Sequence, residues 1–181
     1  MKTYRSAPIL SGAALSLLLA ASGALLSGCG SSSPSAVATL ESRSGSTATG
    51  TATFTLDGSK VTMTLSASKL SAGAHAVHLH DVGDCSAADA TSAGGHWNPT
   101  QMAHGNSTGG AHHAGDIGNL TAGADGSATL TFTTTEWTIG SGTTTDVIGH
   151  AVIIHEKVDD FTTQPTGNAG ARQACGVITL K

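Results

Sequence analysis

The stretch TATFTLDGSKVTMTL, residues 51–65, decides the fold class, because apolar and polar residues alternate on both sides of a turn signal. TATFTL (51–56) and KVTMTL (60–65) place an apolar side chain at every second position and are rich in threonine. This period of two is typical of half-buried strands, and Asp57-Gly58-Ser59 is typical of a tight turn. The stretch therefore predicts two strands joined by a tight turn.

The same alternation recurs along the chain. SATLTFTTT (127–135) follows a second turn signal, Asp125-Gly126, and further strands are predicted at HAVIIH (150–155), CGVITL (175–180) and, more weakly, VATLESR (37–43). Seven or eight strands without a convincing helix after residue 36 predict an all-β sandwich or barrel. Two irregular segments interrupt the pattern, 81–118 and 159–174, and loops of such length in a compact domain are usually functional or disordered.

Composition and the N-terminal sequence limit the classes of function that the protein can have. Charged residues make up 11% of the 181 residues and the formal net charge is -4, which argues against a broad basic surface for nucleic acid. Lys2 and Arg5 precede a long apolar run, which indicates an export signal, with a transmembrane anchor as the alternative. The tetrapeptide at 26–29, LSGC, resembles a bacterial lipobox and implies cleavage before a lipidated Cys29.

These features predict three parts of the chain: a lipoprotein signal peptide at 1–28, a flexible tether at 29–35 and one folded domain at 36–181. The protein is expected to be exported and lipid-anchored in a bacterial cell envelope, on the periplasmic or the outer face of a membrane. Cys85 and Cys175 then remain as one pair in an oxidising compartment, where a disulfide persists.

The histidines are grouped in a way that indicates metal binding. His78 and His80 are two residues apart in HAVHLH (75–80), so on a strand they share a face, whereas His75 has the opposite parity. An isolated pair of this kind is usually a surface feature. Here the irregular segment and the strand at 150–155 add further donors that suit zinc and copper: His96, His104, His112, His113, Asp116 and His155. Together they suffice for two metal sites.

Six blocks resemble, in order, the signature blocks of the copper/zinc superoxide dismutases: VHLHDVGDC, SAGGHWNP, HGN, HHAGDIGN, IIHEKVDD and GNAGARQACGVI. The resemblance spans about residues 36–181. It implies an eight-stranded Greek-key β-sandwich, or flattened barrel, with two long functional loops.

The resemblance also implies the site residues, with one copper and one zinc ion per subunit. The copper ligands would be His78, His80, His96 and His155, and the zinc ligands His96, His104, His113 and Asp116. Asp159 matches a carboxylate that bonds His78 and His104, and His75 is expected to support the site by bonding backbone behind it. Arg172 and Thr166 match residues of the substrate channel, and Cys85 and Cys175 match the family disulfide.

The implied activity is dismutation of superoxide to oxygen and hydrogen peroxide by a Cu(II)/Cu(I) cycle, with Arg172 and His96 as the catalytic residues. A carrier that binds copper or zinc on the same fold without turnover is the alternative. Zinc-dependent hydrolysis is disfavoured, because three histidines and Asp116 leave no position for water. The expected partners are superoxide and, through Cys29, a membrane, and the sequence leaves open whether the chain forms a homodimer.

Two departures from the family pattern affect these expectations. The segment between Asp159 and Arg172 is short and contains no lysine or glutamate, which predicts weaker or differently organised steering of an anionic substrate. His112 lies beside His113 and is the alternative zinc ligand, although the spacing to Asp116 favours His113.

Overall fold

The computed structural model describes residues 1–3 and 33–181, and the fold is that of the segment 33–181. Most of the predicted signal peptide, including Cys29, lies outside the described residues, so its cleavage and lipidation stay predictions. Among the described residues, no helix has the length and apolar character needed to span a membrane.

The described domain is built almost entirely of strands. They are β1 (Ser35–Ser42), β2 (Thr49–Asp57), β3 (Lys60–Ser68), β4 (Gly73–His80), β5 (Asp116–Ala122), β6 (Ala128–Thr134), β7 (Ala151–His155), β8 (Arg172–Val177) and β9 (Thr179–Leu180), and a short 3-10 helix covers Thr91–Ala93.

The hairpin predicted from residues 51–65 is formed by β2 and β3. The two strands pair antiparallel, with Phe54 opposite Met63 and Asp57 opposite Lys60. Gly58 closes the turn at φ +57°, a conformation that glycine adopts at little cost. Phe54 and Met63 are fully buried while the threonines between the apolar positions face outward, so alternation gives this sheet one apolar and one hydroxyl-rich face.

The strands form a nearly closed, eight-stranded antiparallel barrel. The order is β5-β4-β7-β8-β1-β2-β3-β6, and the short β9 pairs with β1. This arrangement confirms the predicted all-β Greek-key fold. It differs from the sequence prediction in β5, which begins inside the segment 81–118 expected to be irregular, and at 175–180, where the expected strand is divided between β8 and β9 at Ile178.

Two apolar clusters position the long loop between β4 and β5. The main core fills the barrel, and Trp137 within it donates its indole N–H to the carbonyl of Ala114 at 2.8 Å. A smaller cluster lies under the other end of the loop and consists of Ala90, Ala93, Ala151, Ile153 and Cys175. The disulfide between Cys85 and Cys175, with Cα atoms 5.8 Å apart, confirms the predicted pairing and ties the loop to β8.

Candidate metal centre

Strand β4 carries the first two histidines of the site, and it is buried on both faces from His75 to His80. His78 and His80 lie on one face, as the alternation of side chains predicts. The pairing with β5 shifts register between Val77 and His78, and such bulges commonly re-aim a side chain next to a functional site. A similar shift precedes His155 at the end of β7.

His78, His80, His96 and His155 form one buried cluster, in which one nitrogen of each ring lies within 4.8 Å of the others. The second nitrogen of three of these rings is bound elsewhere. His78 Nε2 donates to Asp159 Oδ2 at 2.8 Å, His80 Nδ1 bonds the carbonyl of Gly94 at 3.0 Å, and His155 Nδ1 bonds the carbonyl of Gly170 at 3.3 Å. These bonds leave His78 Nδ1, His80 Nε2 and His155 Nε2 as the inward-facing lone pairs.

His96, His104, His113 and Asp116 form a second buried cluster, centred on one carboxylate oxygen. Asp116 Oδ1 lies 2.8 Å from His96 Nδ1, 3.0 Å from His104 Nδ1 and 3.3 Å from His113 Nδ1. Asp116 Oδ2 is turned away and accepts the backbone N–H groups of His113 and Gly105 at 2.8 and 3.1 Å. The carboxylate is therefore held so that a single oxygen faces the three rings.

The second cluster has the dimensions of a tetrahedral metal site. Four donors at about 2.0–2.2 Å from a zinc ion lie about 3.3–3.6 Å from one another. Three contacts of Asp116 Oδ1 and the contact between His96 Nδ1 and His113 Nδ1 are 2.8–3.4 Å long, and all donor atoms of the cluster lie within 4.8 Å of one another. His104 Nδ1 is 3.0 Å from Asp116 Oδ1 but lacks hydrogen-bond geometry, and it has no hydrogen-bond partner among the described residues. A buried lone pair of this kind is costly unless a cation occupies the cluster. The residues therefore fit a zinc ion.

His96 belongs to both clusters. Its Nδ1 faces Asp116, whereas its Nε2 is buried and finds no partner within residues 33–181; His78 Nδ1 is orphaned in the same way. The ring is fixed because the chain around it bonds to β4: Trp97 N donates to the carbonyl of Leu79 at 2.9 Å, and His96 forms an isolated bridge with His80. One imidazole therefore presents a nitrogen to each cluster.

Asp159 connects the two clusters from behind. Its Oδ2 accepts from His78 at 2.8 Å and its Oδ1 accepts from His104 at 2.9 Å, and all three side chains are completely buried. Asn119 holds the backbone of Asp159 through two hydrogen bonds, from Asn119 Nδ2 to the carbonyl at 3.0 Å and from the Asp159 N–H to Asn119 Oδ1 at 2.8 Å. Carboxylates in this position fix both the tautomer and the orientation of ligand histidines.

Arg172 lies beside the first cluster, at the start of β8. Its Nη1 donates to the carbonyl of Ala90 at 2.6 Å and its Nη2 donates to that of Gly94 at 2.7 Å. The Gly94 carbonyl also bonds His80, so one backbone oxygen links the guanidinium to the histidine cluster. Thr166 is exposed on the loop between β7 and β8.

The remaining histidines lie outside both clusters. His75 Nδ1 is 2.9 Å from the carbonyl of His155, and its Nε2 is 2.9 Å from that of Ser71, so it contacts backbone behind the site. His112 turns outward, with Nε2 3.3 Å from Glu136. The second cluster contains His113 and not His112.

Burial keeps three rings of the first cluster available as lone-pair donors. Burial lowers the pKa values of His78, His80 and His155, to about 4 for His155, so these rings are neutral at neutral pH. Burial alone would raise the pKa of Asp116, but hydrogen bonds from His96 and from two backbone amides lower it on balance. Burial also lowers the pKa of His113, whereas at His104 burial is outweighed by the hydrogen bonds and charges of Asp159 and Asp116, which raise the pKa. Neutral imidazoles with an ionised carboxylate are the forms that bind metal ions, so a metal ion in the second cluster would displace the proton that His104 favours.

Comparison with known proteins agrees with the fold and the donor sets. The family described as "Copper/zinc superoxide dismutase (SODC)" matches residues 48–178. The chain belongs to the copper/zinc superoxide dismutase family. The predicted family and its barrel fold are thereby confirmed.

Individual relatives extend the comparison. The superoxide dismutase-like protein YojM of Bacillus subtilis (strain 168) is 39% identical over 118 residues, which are 63% of this chain and 60% of that protein. The crystal structure of the clock protein EA4 has 33% identity and a TM-score of 0.71, and the match covers 81% of this chain and 94% of that one.

A second solved structure is a double mutant of a SOD-like protein from Bacillus subtilis, in which a tyrosine and a proline are replaced by histidine. It has 36% identity and a TM-score of 0.69, with 78% of this chain and 95% of that one covered.

Proposed function

We propose that this protein is a superoxide dismutase that holds one copper ion in the cluster of His78, His80, His96 and His155. One zinc ion would occupy the cluster of His96, His104, His113 and Asp116. The observation that carries the proposal is the position of His96, whose Nδ1 lies in the second cluster while its buried Nε2 faces the first. A carrier needs only one set of ligands, whereas here one imidazole offers a nitrogen to each of two donor sets.

The two donor sets differ in a way that suits two metals. Four imidazoles suit copper, and three imidazoles with a carboxylate suit zinc. Bound copper supplies one-electron redox chemistry, and zinc, which has no accessible redox step, supplies fixed charge.

The protein's own residues account for substrate binding and proton transfer. Arg172 offers a fixed cation for the small superoxide anion, because two of its N–H groups are held by backbone carbonyls and others remain to donate to a substrate. Burial is the main cause that lowers the pKa values of His80 and His155, and the Arg172 charge lowers both further, which indicates that this charge acts on the copper cluster. His96 Nε2 is the atom that can hold a proton and pass it on.

The same proposal includes the location of the protein. The Cys85–Cys175 disulfide supports an oxidising compartment and therefore export. Attachment to a membrane through lipidated Cys29 is supported by the sequence at 26–29. Mass spectrometry of the mature chain tests it: a diacylglycerol-modified N-terminal cysteine is expected, and an unmodified N-terminus contradicts it.

A variant of Arg172 tests the proposed activity and distinguishes a superoxide dismutase from a metal carrier. In the copper- and zinc-loaded protein, Arg172→Ala should lower the rate constant for superoxide decay about tenfold or more while the copper content stays unchanged. Arg43→Ala is the matched control, because Arg43 also donates to a loop carbonyl, that of Cys85 at 2.9 Å, but is remote from the histidine clusters in its contacts. If Arg172→Ala reacts as fast as the unmodified protein, the assigned role of Arg172 is wrong.

A further inference from the structure

Gln164, on the loop between β7 and β8, holds both backbone polar groups of His104. The His104 N–H donates to Gln164 Oε1 at 2.9 Å, and Gln164 Nε2 donates to the His104 carbonyl at 2.9 Å. The two residues are 60 positions apart and lie on the two long loops of the fold. This pair of bonds therefore connects the loop before Arg172 to the loop that carries the second cluster.

His104 depends on such external support more than the histidines of the first cluster do. His78, His80 and His155 are held by the ladder of β4 and β7, and His96 by its bridge to His80. His104, in contrast, belongs to no strand. Its ring is bonded to Asp159 at 2.9 Å, and the peptide that follows it donates the Gly105 N–H to Asp116 at 3.1 Å, but the N–H and the carbonyl of His104 itself are bonded by Gln164.

The structure fixes this backbone through Gln164. We propose that Gln164 is a positioning residue that retains zinc in the second cluster by holding His104, an inference that rests on the proposed function. Because Asp159 bonds the ring and Gln164 bonds the backbone, the same short loop constrains His104 at both ends. Ligands borne on loops reach metal-binding geometry only when supporting contacts of this kind lock them.

The inference predicts an asymmetry between the two metals. Removing the Gln164 bonds releases the backbone of His104, which belongs to the zinc cluster alone. The copper cluster keeps all of its strand contacts, so copper should be retained as before. A residue that merely stabilised the fold would affect both metals together.

The test is the rate of metal release from the full chain loaded with copper and zinc, followed with a chromogenic chelator. Gln164→Met keeps the length of the side chain but removes both hydrogen-bonding groups, and should release zinc about tenfold faster. Copper release should stay within about twofold, consistent with a local effect. Gln101→Met is the matched control, because Gln101 is an exposed glutamine on the same loop as His104, and should release zinc as the unmodified protein does.

A cobalt-substituted protein provides a second readout. Cobalt in the second cluster should give the visible spectrum of a tetrahedral site, and Gln164→Met should shift that spectrum. Unchanged zinc release and an unchanged cobalt spectrum in Gln164→Met overturn the inference, as does equal acceleration of zinc and copper release. If the unmodified chain retains no zinc in this cluster, the proposed function itself fails, and the inference fails with it.

Discussion

Replacement of Asp159 by alanine should weaken the binding of zinc more than the binding of copper. The change removes two buried charge-assisted hydrogen bonds, one to His78 at 2.8 Å and one to His104 at 2.9 Å. His78 remains in the β4 ladder, whereas His104 lies on an irregular loop and loses the one bond to the far side of its ring. Zinc affinity should therefore fall more than copper affinity.

The size of the effect follows from the bond that is lost. A hydrogen bond to a charged group contributes about 1.5–3 kcal/mol. Each 1.4 kcal/mol is about a factor of ten in affinity, so zinc should bind about ten- to a hundredfold more weakly. Competition of each metal with a chelator of known affinity, at fixed pH, measures both constants.

The neighbouring carboxylate provides the control. The Asp160 carboxylate bonds only Thr162 and Thr163 of its own turn, so Asp160→Ala should leave both metal affinities within about twofold. A zinc affinity of Asp159→Ala that is unchanged, or a copper affinity that falls more than the zinc affinity, would refute the role given to Asp159.

Three further predictions concern the support of the site. His75→Ala should loosen the site but keep copper, because His75 bonds the backbone of His155 and Ser71 and the Ser71 hydroxyl and belongs to neither cluster, whereas His80→Ala should greatly weaken copper binding; isothermal titration of each variant with copper compares them. Removing the bridge between Cys85 and Cys175, which closes a loop of sequence separation 90, should lower the free energy of unfolding by about 4 kcal/mol, measured by urea denaturation, and an equally stable double serine variant contradicts this. Burial holds the pKa of His155 at about 4 in the fold against about 6.5 when unfolded, so only the unfolded chain gains the proton between these values. The metal-free protein should therefore lose up to about 3 kcal/mol of stability at this residue as the pH falls from about 6.5 to about 4, and a His155→Gln variant with the same pH dependence would count against it.

Local sequence patterns predicted the strands whose two faces differ. The β2–β3 hairpin and β6 follow directly from alternation, because their inner residues are apolar and their outer residues are threonines. Strand β5 was not predicted, because its sequence DIGNLTA contains a glycine and an asparagine. In addition, its polar Asp116 is buried as a member of the second cluster. In a strand that carries site residues, polar side chains are buried, so the alternation of apolar and polar residues that predicts a strand is lost.

The candidate site, too, was only partly predictable from local sequence patterns. Strand parity alone separates His75 from His78 and His80, because that relation is local. The convergence of His96 and His155 on the same cluster depends on contacts across the barrel, so it came only from the family resemblance. Side chains that bond backbone, as Gln164 and Asn119 do, leave no periodic signal in the sequence and became evident only in the structure.

The number of superoxide molecules consumed per copper ion tests the central claim most directly. The copper- and zinc-loaded protein is mixed with a large excess of superoxide in a stopped-flow instrument, and superoxide, oxygen and hydrogen peroxide are quantified. A dismutase should consume many equivalents and form one oxygen and one peroxide for every two superoxide ions. Consumption that stops at about one equivalent per copper, or that is no faster than in buffer, would contradict the proposed function and leave a metal carrier on the same fold.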